Sequence, residues 1–213
     1  DGLRIGWIDG GVDEAYHWAD QLGAKIIQLD DKRMISGDFE GLDVIVAGVF
    51  AGATRPLNRS MHYIRPWIEI GGHFVSQYHR PIDNWDKTQS SPLLLQPGSP
   101  SIRWRVTDAT APVRILQPDH ALLNNPNNIN NKDFNGWVKE RGLYFASEWD
   151  PVYVPLFSMS DFGEAPMEGG LLVAGIGAGS HVHCALNLFY QMDHMVVGAF
   201  RLFANLLTPS GSK

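Results

Sequence analysis

The segment Leu42-Asp43-Val44-Ile45-Val46-Ala47-Gly48-Val49 is apolar at almost every position. A strand covered on one face alternates apolar and polar residues, whereas an unbroken apolar run needs cover on both faces. Helices supply that cover, so this segment predicts a central strand in an α/β layer structure. Its neighbours agree. Leu3-Arg4-Ile5-Gly6-Trp7-Ile8 is a short apolar run ending in Asp9-Gly10-Gly11, a strand followed by a glycine turn. Between Val12 and Leu22, residues Ala15, Trp18, Ala19 and Leu22 recur on one helical face, with Gly23 placed as the cap. Lys25 to Leu29 predicts a second strand. A helix over Pro56 to Ile70, kinked at Pro66, leads through Gly71-Gly72 into a fourth strand, His73-Phe74-Val75-Ser76-Gln77. Strands and helices alternating in this order predict right-handed crossovers and a mostly parallel, doubly wound sheet.

After Pro81 the pattern changes. Residues 82–142 are rich in Asn, Pro, Asp and Ser, interrupted by a short strand over Ile102 to Val106. Regular structure is expected again at Leu143 to Ala146 and Tyr153 to Met159. Leu171 to Ile176 and His181 to Leu186, joined by Gly177-Ala178-Gly179, predict a late β-hairpin. A closing helix is expected over His194 to Leu207. The chain therefore reads as one α/β domain over 1–208, with a loop-rich insertion at 82–142 and a tail at 209–213. The abrupt start two residues before a strand suggests a piece of a longer protein or a processed N-terminus.

Composition removes several classes of partner. A net charge of −6 argues against nucleic acid and anionic membrane surfaces, which select a basic face. No apolar run approaches the length of a membrane span, no signal peptide is visible, and no motif calls for a cofactor. Cys184 is the single cysteine, so neither an internal disulfide nor a thiolate zinc site can form. That fits a reducing compartment, and it also fits exported bacterial proteins that lack disulfides. The compartment stays open between cytoplasmic and exported.

In an open parallel sheet, ligands bind beyond the carboxyl ends of the strands. The rule selects Asp9-Gly10-Gly11, Val49 to Arg55, Tyr78-His79-Arg80 and the segment after Leu186. Gly71-Gly72-His73-Phe74-Val75-Ser76-Gln77-Tyr78 resembles the nucleophile-bearing strand of flavodoxin-like, class I glutamine amidotransferase-like domains, including ThuA-like proteins and the trimerisation domain of some β-galactosidases. Downstream patterns resemble the C-terminal region of long bacterial PIG-L/LmbE-type deacetylases. They include Asp133-Phe134-Asn135-Gly136-Trp137-Val138-Lys139-Glu140-Arg141-Gly142-Leu143-Tyr144-Phe145, Trp149-Asp150, Gly163-Glu164-Ala165-Pro166 and Gly198-Ala199-Phe200-Arg201-Leu202-Phe203-Ala204-Asn205-Leu206. This resemblance implies a non-catalytic accessory domain of a carbohydrate-active protein, binding a glycan or small ligand or docking an upstream deacetylase domain.

The chemistry of neither family follows automatically. Zinc deacetylases of that type carry a His-Pro-Asp-Asp motif; here Pro118-Asp119-His120 is reversed and reads as a turn with a capping Asp. A glutaminase needs a thiolate, a base and an orienting acid. Tyr78 stands at the elbow, Cys184 lies in a late strand, and no His follows the last core strand near Asn187 to Tyr190.

The remaining candidates each have two readings. His181 and His183 share a strand face and could begin a metal site or simply pack. His79 and Arg80 stand at a strand end, where Arg80 could bind a carboxylate or phosphate, or an Asp of the chain. Trp137, Arg141, Trp149 and Asp150, with Glu140 and Tyr153, offer apolar rings beside charges. That suits a sugar site or a buried Arg–carboxylate network. Asp161 and Glu164 could form a carboxylate pair or belong to a turn. Alternatives to the accessory role are a divergent hydrolase using His79, Asp150 or Glu164, and a homo-oligomerisation domain.

Overall fold

A computed structural model describes residues 2–209, and the tail read at Ser210 to Lys213 lies outside them. The first half runs β1 (Arg4–Ile8), α1 (Ala15–Gln21), β2 (Lys25–Gln28), α2 (Asp31–Ser36), β3 (Val44–Ala47), α3 (Ala51–Thr54), α4 (Leu57–Glu69) and β4 (His73–Gln77). Short strands follow: β5 (Leu95–Pro97), β6 (Arg105–Val106), β7 (Arg114–Ile115), β8 (Gly142–Leu143), β9 (Ala146–Trp149), β10 (Val154–Pro155) and β11 (Phe157–Ser158). The chain closes with the hairpin β12 (Leu171–Ile176) and β13 (Gly179–Cys184), then α5 (Leu188–Asp193) and α6 (Val197–Leu206).

The main sheet has seven strands in the order β10-β12-β13-β4-β3-β1-β2. From β2 to β13 neighbouring strands are parallel, and β12 and β10 add antiparallel pairs at the far edge. This is the doubly wound α/β arrangement that the apolar runs predict. β1 and β3 are neighbours although β2 separates them in sequence, so the direction of winding reverses between them.

Both faces are buried, as β3 requires. On one side Ile45, Ala47 and Phe74 pack with Ile64, Ile68 and Met61 of α4. On the other, Val44, Val46, Val75 and Val182 pack with Leu202 and Leu206 of α6 and with Phe134, Phe145 and Phe157. Each fully buried aliphatic or Phe side chain contributes about 1.5–3 kcal/mol of transfer free energy. Residues from 82–142 thus enter the same core as the sheet.

Polar groups fix how they enter. Asn205 on α6 accepts from the Asn127 N–H and donates to the carbonyls of Leu122 and Asn127. Arg201 pairs with Asp133 at 2.8 Å.

Several boundaries differ from the sequence reading. The strand expected at Ile102 to Val106 is a 3-10 turn at Ser101–Arg103 followed by β6. The strand expected over Tyr153 to Met159 splits into β10 and β11, which join different sheets. The closing helix starts at Val197, because α5 occupies Leu188–Asp193. Helical periodicity cannot resolve such a break, since the apolar pattern continues across it.

Candidate functional site

At the β3 and β4 exits the carboxyl edge of the sheet, where this architecture favours a ligand, is filled by the chain's own side chains. Tyr78 follows β4 and is 2% exposed. Its ring packs with Phe50, Tyr144 and Phe189. Burial, and then the negative charge of Glu140 and Asp13, raises the phenol further above its ordinary range. An ionised phenolate is thereby disfavoured at this position.

The sharp backbone turn lies elsewhere. Among the described residues near the edge, Phe50 after β3 and Tyr144 adopt left-handed geometry, each with φ 58°. A bulky residue there is strained and persists only when its surroundings hold it. Here they do. The N–H groups of Val49, Phe50 and Gly52 donate to Asp13 Oδ2, the Tyr78 carbonyl and His79 Nε2. Such N–H groups could otherwise stabilise an oxyanion. All three are engaged within the fold.

His79 is fully buried. Its Nδ1–H donates to the Gln77 carbonyl and its Nε2 accepts from Gly52, so both ring nitrogens are used. Burial lowers its pKa to about 4. It is a neutral hinge for the β3 exit turn and has no nitrogen left for a substrate or metal. Arg80 takes its alternative reading: it pairs with Asp83 at 2.8 Å and lies over the Phe50 ring. Cys184 is buried and burial pushes its thiol up to about 12, which keeps it protonated and inert. Asn187 donates to Glu140 Oε1 at 2.6 Å, joining the segment after β13 to the segment before β8.

His181 and His183 do share a face, and Ser76 of β4 lies between them. Ser76 Oγ is 2.9 Å from His181 Nε2 and from His183 Nδ1, and His181 Nδ1 is 2.6 Å from the Tyr153 hydroxyl. Tyr153 continues to Ser91. One direction leaves no buried N–H orphaned: His183 donates to Ser76, Ser76 to His181, His181 to Tyr153, and Tyr153 to Ser91. Only the His183 Nε2 lone pair then lacks a partner. Burial lowers His183 to about 3, and it takes His181 well below its ordinary value. Among the described residues no group of three metal-ligating side chains converges. The pair is a polar tie between the sheet and the insertion.

The aromatic cluster separates into two kinds of residue. Trp137 and Arg141 are core. Trp137 Nε1 donates to the Asp133 carbonyl, and Arg141 donates to the carbonyls of Ala111 and Phe134 while lying near the Phe134 and Trp137 rings. Among the described residues no carboxylate bonds Arg141, so in place of an Arg–carboxylate network it bonds backbone carbonyls. Burial lowers its pKa to about 10. Asp150 Oδ1 accepts from the Val152 N–H and caps a turn. Asp161 accepts from Thr107 and Asp108 rather than facing Glu164 as a carboxylate partner. In the Pro118-Asp119-His120 turn, the capping group is His120, which accepts from the Leu122 N–H.

Trp149 and Glu164, by contrast, border one cavity. It has a volume of about 650 Å³, and Arg103, Trp104, Met167 and Glu168 line it too. Sequence reasoning missed Arg103, Trp104 and Glu168, because they come from a segment 45 residues from Trp149 and from the loop before β12. The one available signal was Trp104 itself, a large aromatic inside a loop-rich stretch.

No protein-family model matches the chain, and no curated protein does. The architecture is nonetheless that of a class I glutamine amidotransferase-like α/β domain. It is similar to the Salmonella typhimurium cytoplasmic protein STM3548 at 12% identity, covering 97% of this chain and 98% of that one, with a TM-score of 0.65. A ThuA-like protein from Bacteroides uniformis is similar at 11% identity, 96% and 89% coverage and a TM-score of 0.56. An exo-β-1,4-mannosidase from Opitutaceae bacterium strain TAV5 is similar at 14% identity and a TM-score of 0.50, over 97% of this chain and 36% of that one. At these identities the likeness concerns the fold alone.

Proposed function

We propose that the chain is a non-catalytic accessory domain of a carbohydrate-active protein of the PIG-L/LmbE-type deacetylase kind. Its role is to bind a glycan or small ligand, or to dock the catalytic domain. The observation that carries the non-catalytic half is the filled carboxyl edge at the β3 and β4 exits. The nucleophile position is a buried Tyr78, the nearby N–H donors are engaged, and His79 has no free nitrogen. The divergent-hydrolase alternative loses His79 as a base at the same point, since both ring nitrogens are engaged, and would have to rely on Asp150 or Glu164. The deacetylase context rests on the sequence patterns between Arg105 and Leu206. A mannosidase carrying this fold over about a third of its length is compatible with an accessory role.

The test uses the purified chain. Ammonia release from glutamine, ester hydrolysis and acetyl release from N-acetylglucosamine are measured, alongside binding to oligosaccharides and to a PIG-L-type catalytic domain. The reading expects no turnover and saturable binding to a glycan or to the catalytic domain. Turnover abolished by Tyr78→Phe, or no binding to either partner, overturns it.

A homo-oligomeric role is a second reading. It is favoured by an apolar groove lined by Phe39, Leu42, Tyr63, Pro66 and Trp67, with Ile70 82% exposed beside it. Light scattering across a concentration series decides it; a monomer throughout removes it.

A further inference from the structure

We infer that the cavity walled by Arg103–Trp104, Ala146–Trp149 and Glu164–Glu168 is a binding site for a neutral or amino-bearing saccharide. This deepens the accessory-domain reading and rests on its ligand-binding half. The cavity, about 650 Å³, is in the size range of small-molecule sites.

Its two indoles are held in place by the fold while their polar ends stay unused. A Cβ at Gly98 would lie 1.9 Å from Trp104 Cγ, so the Trp104 ring rests directly on the Gly98 backbone, and only glycine admits it. Trp149 ends β9, is paired with Leu95 of β5, and packs against a buried cluster containing Leu95, Ala146 and Leu172. Trp18, Trp85 and Trp137 each donate their indole N–H to a protein acceptor. Among the described residues, those of Trp104 and Trp149 have no such acceptor.

The charged groups are also uncommitted. Arg103, Glu164 and Glu168 line the cavity and make no side-chain hydrogen bond or ion pair among the described residues. Fixed aromatic rings beside free donors and acceptors suit a ring with an apolar C–H face and an equatorial belt of hydroxyls. Two carboxylates against one guanidinium disfavour a sugar phosphate or uronate, and they favour a neutral or protonated amino sugar. Ile102, next to Arg103 in the chain, and Phe162, two residues before Glu164, lie outside the cavity lining, are 68% and 103% exposed, and would extend its apolar surface. A chain of several sugar units would use that extension better than a monosaccharide.

The experiment titrates the whole chain, by calorimetry and tryptophan fluorescence, with N-acetylchitotetraose, chitosan tetramer, cellotetraose and tetragalacturonate. Binding of at least one of the first three is expected. Trp104→Ala and Trp149→Ala should each weaken it about tenfold or more. Glu164→Gln with Glu168→Gln, both exposed, keeps the fold intact and should weaken the chitosan tetramer most. A wild-type preference for tetragalacturonate overturns the ligand class. Binding undiminished in both Trp variants and in the Glu pair places the ligand elsewhere and sinks the site while leaving the accessory reading standing. No binding of any probe sinks the site and the saccharide half of that reading, and leaves only the docking half.

Discussion

At the carboxyl edge of the sheet, His79 and Arg80 have their polar atoms bonded to the protein itself, and Tyr78 is packed among aromatic rings. At the cavity beside β9, the polar side-chain atoms of Trp104, Trp149, Arg103, Glu164 and Glu168 have no partner among the described residues. The edge is where this architecture usually places a ligand, and the cavity is built from β9 and from loops outside the seven-stranded sheet. The difference teaches that the place where a fold usually binds can be filled by core side chains while a surface outside its main sheet stays open. Function is then read from which polar atoms are left without internal partners, not from position in the fold.

The largest expected effect probes the filled side through pH. His73, His79, His181 and His183 are fully buried and neutral, with pKa values lowered to about 4 for His73 and His79 and about 3 for His183. The unfolded chain protonates these groups near their ordinary value of 6.5, so it binds more protons than the folded chain below that pH. Stability is fully present above pH 6.5 and falls on acidification until about pH 3–4, by several kcal/mol in sum. Melting curves from pH 7.5 to 4 should show a steep loss; a flat profile would mean these histidines are not buried as described.

Tyr78→Cys comes next. It restores a thiol at the elbow but no base or free N–H donors, so no ammonia release from glutamine is expected. Emptying the ring cluster should cost about 3 kcal/mol. Detectable glutaminase activity would break the contrast between the two regions.

Ser76→Ala removes the hydroxyl shared by His181 and His183 and should cost about 1–3 kcal/mol in urea denaturation. A neutral result would show that the relay contributes little to tying the insertion down. Glu164→Gln, at the open site, should change stability by less than about 0.5 kcal/mol, since the side chain is exposed and has no partner among the described residues. Here only ligand affinity should move. A stability loss above that would mean Glu164 is structural, like Arg141.

The layer structure was legible because it depends on local pattern. The unbroken apolar run at Val44–Ala47 needs cover on both faces in any packing, and the glycine turns mark where strands stop. The absence of a catalytic cysteine at the β4 exit was equally legible, since Tyr78 can be read directly. What Trp137, Arg141, Trp149 and Glu164 do was not legible. All four look alike in sequence, aromatic or charged residues near loops. Trp137 and Arg141 turn inward because the carbonyls of Asp133, Phe134 and Ala111 wait there. Trp149 and Glu164 face a cavity because Trp104 and Arg103 arrive opposite them from far along the chain.

The sequence by itself therefore determined the layers, the strand ends and the presence of Tyr78 rather than a cysteine at the β4 exit, which follow from side-chain periodicity and residue identity. Tertiary structure alone decided which polar groups are satisfied inside. A hydrogen bond between distant segments leaves no trace in local pattern, and burial without a partner is too costly to leave the choice open.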